Sequence, residues 1–149
     1  MRAVIQRVKR ASVLVDSQTT GEIGHGLLVL LGVQHDDGDQ EVKWMTDKIS
    51  NLRIFNDDNG KMNLSLLDTG GAMLIVSQFT LYGDCRKGRR PGYSAAAPPA
   101  QAKLLYEKLL TASKNAGIKT ASGKFQAHME VSLVNDGPVT LLLDSSKQF

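Results

Sequence analysis

Apolar and polar positions alternate along the opening of the chain. In AVIQRVKRASVLVD, Ala3 to Asp16, β-branched residues trade places with charged ones, and Ala11, Val13 and Val15 fall on one face. A period of two is that of a half-buried strand. The turn-rich DSQTTG, Asp16 to Gly21, separates it from GEIGHGLLVLLGV, whose glycine-bounded run Leu27–Val33 is short enough for a buried strand. The period then changes. Val42, Met45, Ile49 and Leu52 recur at steps of three and four behind the capping residues Asp37, Gly38 and Asp39, which predicts a helix with Trp44 at its core-facing edge or rim.

Asn59-Gly60 inside RIFNDDNGKMNLSL predicts a hairpin with a two-residue turn, since both residues tolerate positive φ. AMLIVSQFTLY, Ala72 to Tyr82, reads as a second buried strand. Pro98 and Pro99 open a second helix, with Leu105, Leu109, Ala112 and Ala116 as its buried stripe and Gly117 as its stop. Two strands, HMEVSLVN and VTLLLDS, close the chain around Asp136-Gly137-Pro138, which reads as a turn. Mostly strands with two interspersed helices predict an α+β fold: a curved, mostly antiparallel, barrel-like sheet packed with two main helices. No repeat or linker-like composition interrupts residues 1–149, so a single domain is expected.

Composition changes this picture little. With 42% hydrophobic and 22% charged residues the chain is globular, and no apolar run approaches the roughly 20 residues of a membrane helix. MRAVIQRVKR carries a cation every few residues, unlike a secretory signal. The single cysteine, Cys85, excludes an intrachain disulfide and fits a reducing, cytoplasmic setting. A net charge of +3 does not by itself imply a nucleic-acid partner. The charges are clustered, however: Arg2, Arg7, Lys9 and Arg10 form one group, and Arg86, Lys87, Arg89 and Arg90 another. Each reads equally as a binding patch or a solvated face.

Candidate chemistry centres on two stretches. Ser77-Gln78-Phe79-Thr80 lies where a buried strand runs out into a loop and offers two hydroxyls, an amide and an aromatic face. The plainer reading makes Phe79 a core residue and the hydroxyls turn caps. A hydroxyl nucleophile needs a base, yet His25, His35 and His128 all lie outside the motif. His35, in QHDDGD, reads as part of a polar loop before a helix. No histidine pair has metal-ligand spacing, one cysteine cannot build a thiolate zinc site, and no spacing requires a cofactor. Cys85 beside Arg86 reads as an ordinary thiol. The second stretch is NDGPVT, Asn135 to Thr140, which alone reads as a turn, since only about 5–6% of X-Pro bonds are cis.

SQFTLYGD and NDGPVT together, with MRAVIQRV, GLLVLLGV, NLRIFNDDNGKMNLSL and KGRRPGYS, resemble the D-aminoacyl-tRNA deacylases of the common bacterial and eukaryotic type, over essentially the whole chain. The resemblance implies a homodimer with active sites at the subunit interface and aminoacyl-tRNA as substrate. It implies that Gly137-Pro138 is cis and reaches into the partner's pocket, where its backbone carbonyls occupy the place of an L side chain. Glycyl esters, having no side chain to exclude, are then expected to be accepted. Gln78 and Phe79 would handle the adenosine and the scissile carbonyl, with the Phe79 N–H as oxyanion donor. Thr80 would position, and the free 2′-hydroxyl of the terminal ribose would help activate water. Arg86, Lys87, Arg89 and Arg90 would meet RNA phosphates, and Arg7 either braces the Gly-Pro segment or is an edge-strand charge. Two other readings remain: a non-catalytic RNA-binding module, and a small-ester hydrolase using Thr80.

Overall fold

The computed structural model describes all 149 residues. Its organising element is β1 (Arg2–Val15), long enough to serve three neighbours. Along one edge, Arg2–Val8 pairs antiparallel with β3 (Gly26–Gly32) and Ala11–Val15 with β2 (Gln18–Ile23). The other edge takes β8 (Glu130–Asp144), also antiparallel. Outside β3 lie β6 (Ala72–Ser77) and then β7 (Lys119–Ser122), both parallel. Parallel neighbours need long crossovers, and these carry the helices: α1 (Asp39–Asn51) before β6, α3 (Pro99–Asn115) before β7. The far edges approach one another at Gly21, where a Cβ would lie 2.4 Å from the Ser122 carbonyl oxygen. The expected α+β fold holds, with a curved, near-barrel sheet of three antiparallel and two parallel pairings and two substantial helices.

Each face of the central strands has its own core. Ala3, Ile5, Val29, Leu31 and Ile75 meet Val42, Met45 and Ile49 of α1 and Leu105, Tyr106 and Leu109 of α3. On the other face Leu28, Leu74 and Val76 pack on Val8, Ala11, Val13 and Val15 of the far half of β1. Burial on both faces explains why Leu27–Leu31 is continuously apolar and not alternating. Fully burying one such leucine contributes roughly 1.5–3 kcal/mol. No helix is long and apolar enough to cross a membrane.

Several expectations are corrected. Only Asp16 and Ser17 of DSQTTG form the turn, with φ of 49° and 62°, and the polar Gln18–Ile23 is the strand β2. Five residues, Asp57 to Lys61, join β4 (Phe55–Asn56) to β5 (Met62–Leu64) in place of the expected two-residue turn, and the Asp57 N–H donates to the Lys61 carbonyl around the three-residue tip Asp58 to Gly60. The Asp57 carboxylate accepts the N–H groups of Asn59 and Lys61, and Gly60 alone takes positive φ, 74°. A short helix α2 (Leu66–Thr69), capped by Ser65 and Asp68, and the strand β7 were not anticipated. Ala116 caps α3 and is exposed, so Ala102, Tyr106 and Ser113 complete the buried face in its place. Trp44 is half-buried at the rim.

The largest correction concerns the closing strands. They form one strand, β8, because both halves pair with β1 in the same direction. Between the pairs Gln6↔Thr140 and Val8↔Asn135, Arg7 alone faces Asp136, Gly137, Pro138 and Val139. The segment read as a turn is a bulge in a continuous strand, and bulges bend a strand and re-aim what they carry.

Candidate functional site

The Ser77–Thr80 motif sits where β6 ends. The Gln78 N–H donates to the Leu31 carbonyl at 2.7 Å, carrying the parallel pairing one residue past the strand. The chain then closes into a 3-10 turn, Phe79–Tyr82, in which the Leu81 N–H donates to the Gln78 carbonyl and the Gly83 N–H to that of Thr80. Gly32 makes room for it: a Cβ there would lie 3.1 Å from the Gln78 carbonyl oxygen and from Leu81 Cβ. The buried Tyr82 ring anchors one end of the turn. Burial, with the Asp37 and Asp144 carboxylates nearby, pushes its hydroxyl far above the usual phenol range.

The opening N–H groups of such a turn have no internal acceptor, and none within the chain accepts from Phe79 or Thr80. The Phe79 ring is 54% exposed, so it is not the core residue of the plainer reading. The Gln78 carboxamide donates to the Thr80 hydroxyl. That hydroxyl bonds no imidazole or carboxylate, so the turn holds no activated nucleophile.

Beside the turn opens a cavity of about 710 Å³. Ser77, Gln78 and Phe79 line it, whereas Thr80 does not. Tyr93 meets Phe79 edge-on at its mouth, the ring centroids 5.1 Å apart. His35 also lines it and its Nε2 lies 3.0 Å from the Ser94 carbonyl oxygen, holding the loop that carries Tyr93. Much of the remaining wall comes from Ala96 to the start of α3 and from Phe125 to Val131, together with Val33 and Val76. Tyr93, Phe125 and Met129 were not singled out from sequence, and His35 was read only as part of a polar loop. An aromatic residue in the polar loop RRPGYS was the available signal for Tyr93. The other walls are assembled from distant segments and leave no local trace.

The basic loop follows the turn directly. Paired backbone bonds between Asp84 and Gly92, at 2.7 and 2.9 Å, close it into a protruding lobe. Arg86 forks onto the Asp84 carboxylate at 2.8 and 2.7 Å and holds that acid far below the usual carboxylate range. Its charge is therefore already partnered. Lys87, Arg89 and Arg90 are exposed and make no ion pair.

Gly137 and Pro138 lie elsewhere. Their peptide bond is cis, both residues are exposed, and Gly137 has φ of 121°. Beneath them Arg7, only 6% exposed, donates from Nε to the Asp136 carbonyl at 3.1 Å and from Nη1 to the Ile54 carbonyl, with the Asp136 carboxylate 3.4 Å away. Arg7 thus braces the bulge and is no edge-strand charge. Neither Gly137 nor Pro138 lines the cavity. Arg7 stands level with the Arg7↔Leu27 pair and Ser77 with Leu31↔Ser77, four residues or roughly 13 Å farther along β3. Within one chain the two motifs do not meet.

A family model described as D-Tyr-tRNA(Tyr) deacylase matches residues 4–144. The D-aminoacyl-tRNA deacylase of Thermosipho africanus is 66% identical and that of Clostridioides difficile 62% identical, each over 149 residues covering both chains completely. Among solved structures, the c-Myc DNA Unwinding Element Binding Protein superposes with a TM-score of 0.92 at 42% identity, over 97% of this chain and 99% of its own. A probable eukaryotic D-amino acid tRNA deacylase superposes at 0.81 with 18% identity, covering 95% and 97%, a likeness of fold alone.

Proposed function

Because the chain belongs to the D-aminoacyl-tRNA deacylase family, we propose that residues 1–149 act as one editing hydrolase that cleaves the ester of D-aminoacyl-tRNA and releases free amino acid and tRNA. One observation carries the assignment: a residue with an unpaired backbone N–H, Phe79, lines an aromatic-lipped cavity beside a lobe of free cations. An aminoacyl ester on a tRNA end needs these neighbours together, a carbonyl grip, a surface for the terminal base and a hold on phosphates.

Water adds to the ester carbonyl carbon, the Phe79 N–H receives the oxygen as it turns anionic, and the ester C–O bond breaks with its proton returned to the ribose oxygen. One preorganised donor of this kind contributes roughly 2.7–4 kcal/mol. No protein base touches Thr80, which fits activation of the water by the terminal 2′-hydroxyl of the tRNA. Thr80 and Gln78 then fix the turn and the substrate, and Phe79 with Tyr93 offers ring faces to the adenine. Selection falls to Gly137 and Pro138 of a second copy, whose carbonyls fill the space an L side chain needs. Their exposure, and their distance from the cavity of their own chain, support a homodimer in which each copy gates the other. Exclusion by main-chain atoms is indifferent to which D side chain arrives, and glycyl-tRNA is accepted as well.

The decisive assay follows free tyrosine released from D-tyrosyl-tRNA and from L-tyrosyl-tRNA. The D ester alone is expected to disappear. Loss of both would retain the esterase and discard the exclusion mechanism. If folded, tRNA-binding protein cleaves neither, it is a non-catalytic binder. Binding should also depend on salt. With Arg86 already paired, three free cations meeting a single-stranded end predict log K falling against log salt with a slope of about −2.1, from about 0.7 per phosphate. A flat response in filter binding would remove Lys87, Arg89 and Arg90 from the interface.

A further inference from the structure

Arg2 belonged by sequence to a basic cluster, but the fold takes it out of that cluster and fastens it to the back of the 3-10 turn. Its Nη1 donates to the Leu81 carbonyl at 3.2 Å, the carbonyl the short turn leaves without an internal donor. Its Nε donates at 3.0 Å to Asp144, a carboxylate only 4% exposed, and its Nη2 reaches Gln148. The guanidinium lies between two rings, with Cζ 4.7 Å from the centroid of Tyr82 and 5.5 Å from that of Phe149. One side chain thus ties the C-terminal segment to the turn through two hydrogen bonds, an ion pair and two stacking contacts. Arginine suits this role because its planar fork donates in several directions while its faces stack.

Besides Arg2, the turn is held by the buried Tyr82 ring and by the edge contact of Phe79 with Tyr93. Its inner side rests on Gly32, which offers no side chain to grip it. Phe79, which lines the cavity and whose N–H has no acceptor within the chain, precedes Leu81 by only two positions. The Leu81 N–H holds the carbonyl of Gln78, the other end of the peptide that carries the Phe79 N–H, so a displaced Leu81 shifts that peptide. The geometry points to Arg2 as a positioning residue for the Phe79 oxyanion donor, with Asp144 fixing the guanidinium from the far side. This rests on the deacylase reading given above. Arg2 does not line the cavity, so its contribution falls on the rate of the chemical step and leaves binding alone.

The test compares wild type, Arg2→Ala, Arg2→Lys and Leu66→Ala on D-tyrosyl-tRNA. Leu66 is fully buried at the opposite end of the sheet and serves as a control for lost stability. Arg2→Ala is expected to lower kcat roughly 10–100-fold with KM changed less than about twofold, as a slightly misplaced group would. A lysine in this place keeps the charge for Asp144 but cannot fork or stack, so Arg2→Lys should lose much of the same rate. Leu66→Ala should keep its kcat at temperatures where it is folded. A second readout needs no turnover: with [15N]phenylalanine only four amide signals are present, and that of Phe79 should move in both Arg2 variants while that of Phe55 stays. Wild-type kcat in the folded Arg2 variants, or a Phe79 signal that does not move, overturns the inference. If Arg2→Ala does not fold, Arg2→Lys decides by the same two criteria. If wild type itself leaves the D ester intact, the proposed function fails separately, and the Phe79 signal alone decides whether Arg2 sets the turn.

Discussion

Phe79→Pro should lose roughly 10²–10³-fold in kcat, the usual worth of one oxyanion donor, while Phe79→Ala should lose far less. The two substitutions remove the same ring, but only proline also removes the N–H. Proline fits the position because the first residue of a helical turn bonds nothing with its N–H, and Gln78 before it already lies outside the helical region at φ −142° and ψ 79°. The ratio of the two rates therefore isolates the backbone donor from the aromatic face. Single-turnover cleavage of D-tyrosyl-tRNA under saturating enzyme measures it. Equal losses would place the chemistry on the ring and deny the oxyanion role. Stability should barely move, because Phe79 is exposed.

Arg7→Ala should do the reverse and strike stability and selectivity together. The side chain is 7% exposed, and its removal leaves the Ile54 and Asp136 carbonyls without donors and the Asp136 carboxylate without its cation. Breaking a buried pair typically costs about 3–5 kcal/mol. Asp136 keeps 29% exposure and recovers some hydration, which puts the loss near the lower end, about 3 kcal/mol. For a chain of this size that lowers Tm by roughly 6–12 °C. The released bulge would then wander, so the ratio of D to L ester cleavage should fall at least about tenfold, the equivalent of 1.4 kcal/mol of lost discrimination. Calorimetry and paired ester assays read the two effects separately. An unchanged ratio in a destabilised protein would free Arg7 of any part in selection.

What the sequence made readable follows from how far each signal reaches. Leu27–Val33 and the α1 stripe announced themselves because their partners impose a period within a few residues. Gln18–Ile23 did not: it is mostly exposed, so nothing forces alternation on it, and its polar residues imitate a loop. Gly137-Pro138 read as a turn because local punctuation cannot see β1 running alongside and holding both halves of β8 in line. The basic cluster, taken by spacing alone, was ambiguous in the same way, although the resemblance already offered Arg7 as a brace for the Gly-Pro segment. Arg2 and Arg7 looked like neighbours of Lys9 and Arg10 on a wet face. Their true partners, Asp144 and Asp136, lie 142 and 129 residues away and draw them inward. The motif Ser77–Thr80 was visible as a set, and the resemblance already pointed to the Phe79 N–H, but only the folded chain reveals the 3-10 turn that leaves that N–H unpartnered and Thr80 outside the cavity lining.

The distance between the bulge and the cavity also carries a consequence for dosage. In the proposed homodimer, with the gate on one copy and the cleaving turn on another, a copy on its own would not be a weaker editor. It would be an unguarded one, able to admit the correct esters on which translation depends. Fidelity would then vary with the amount of protein present: on dilution below the dissociation constant, the preference for D over L should decay while cleavage itself persists. The strength with which two copies hold together would be a safety margin for the cell's charged tRNA.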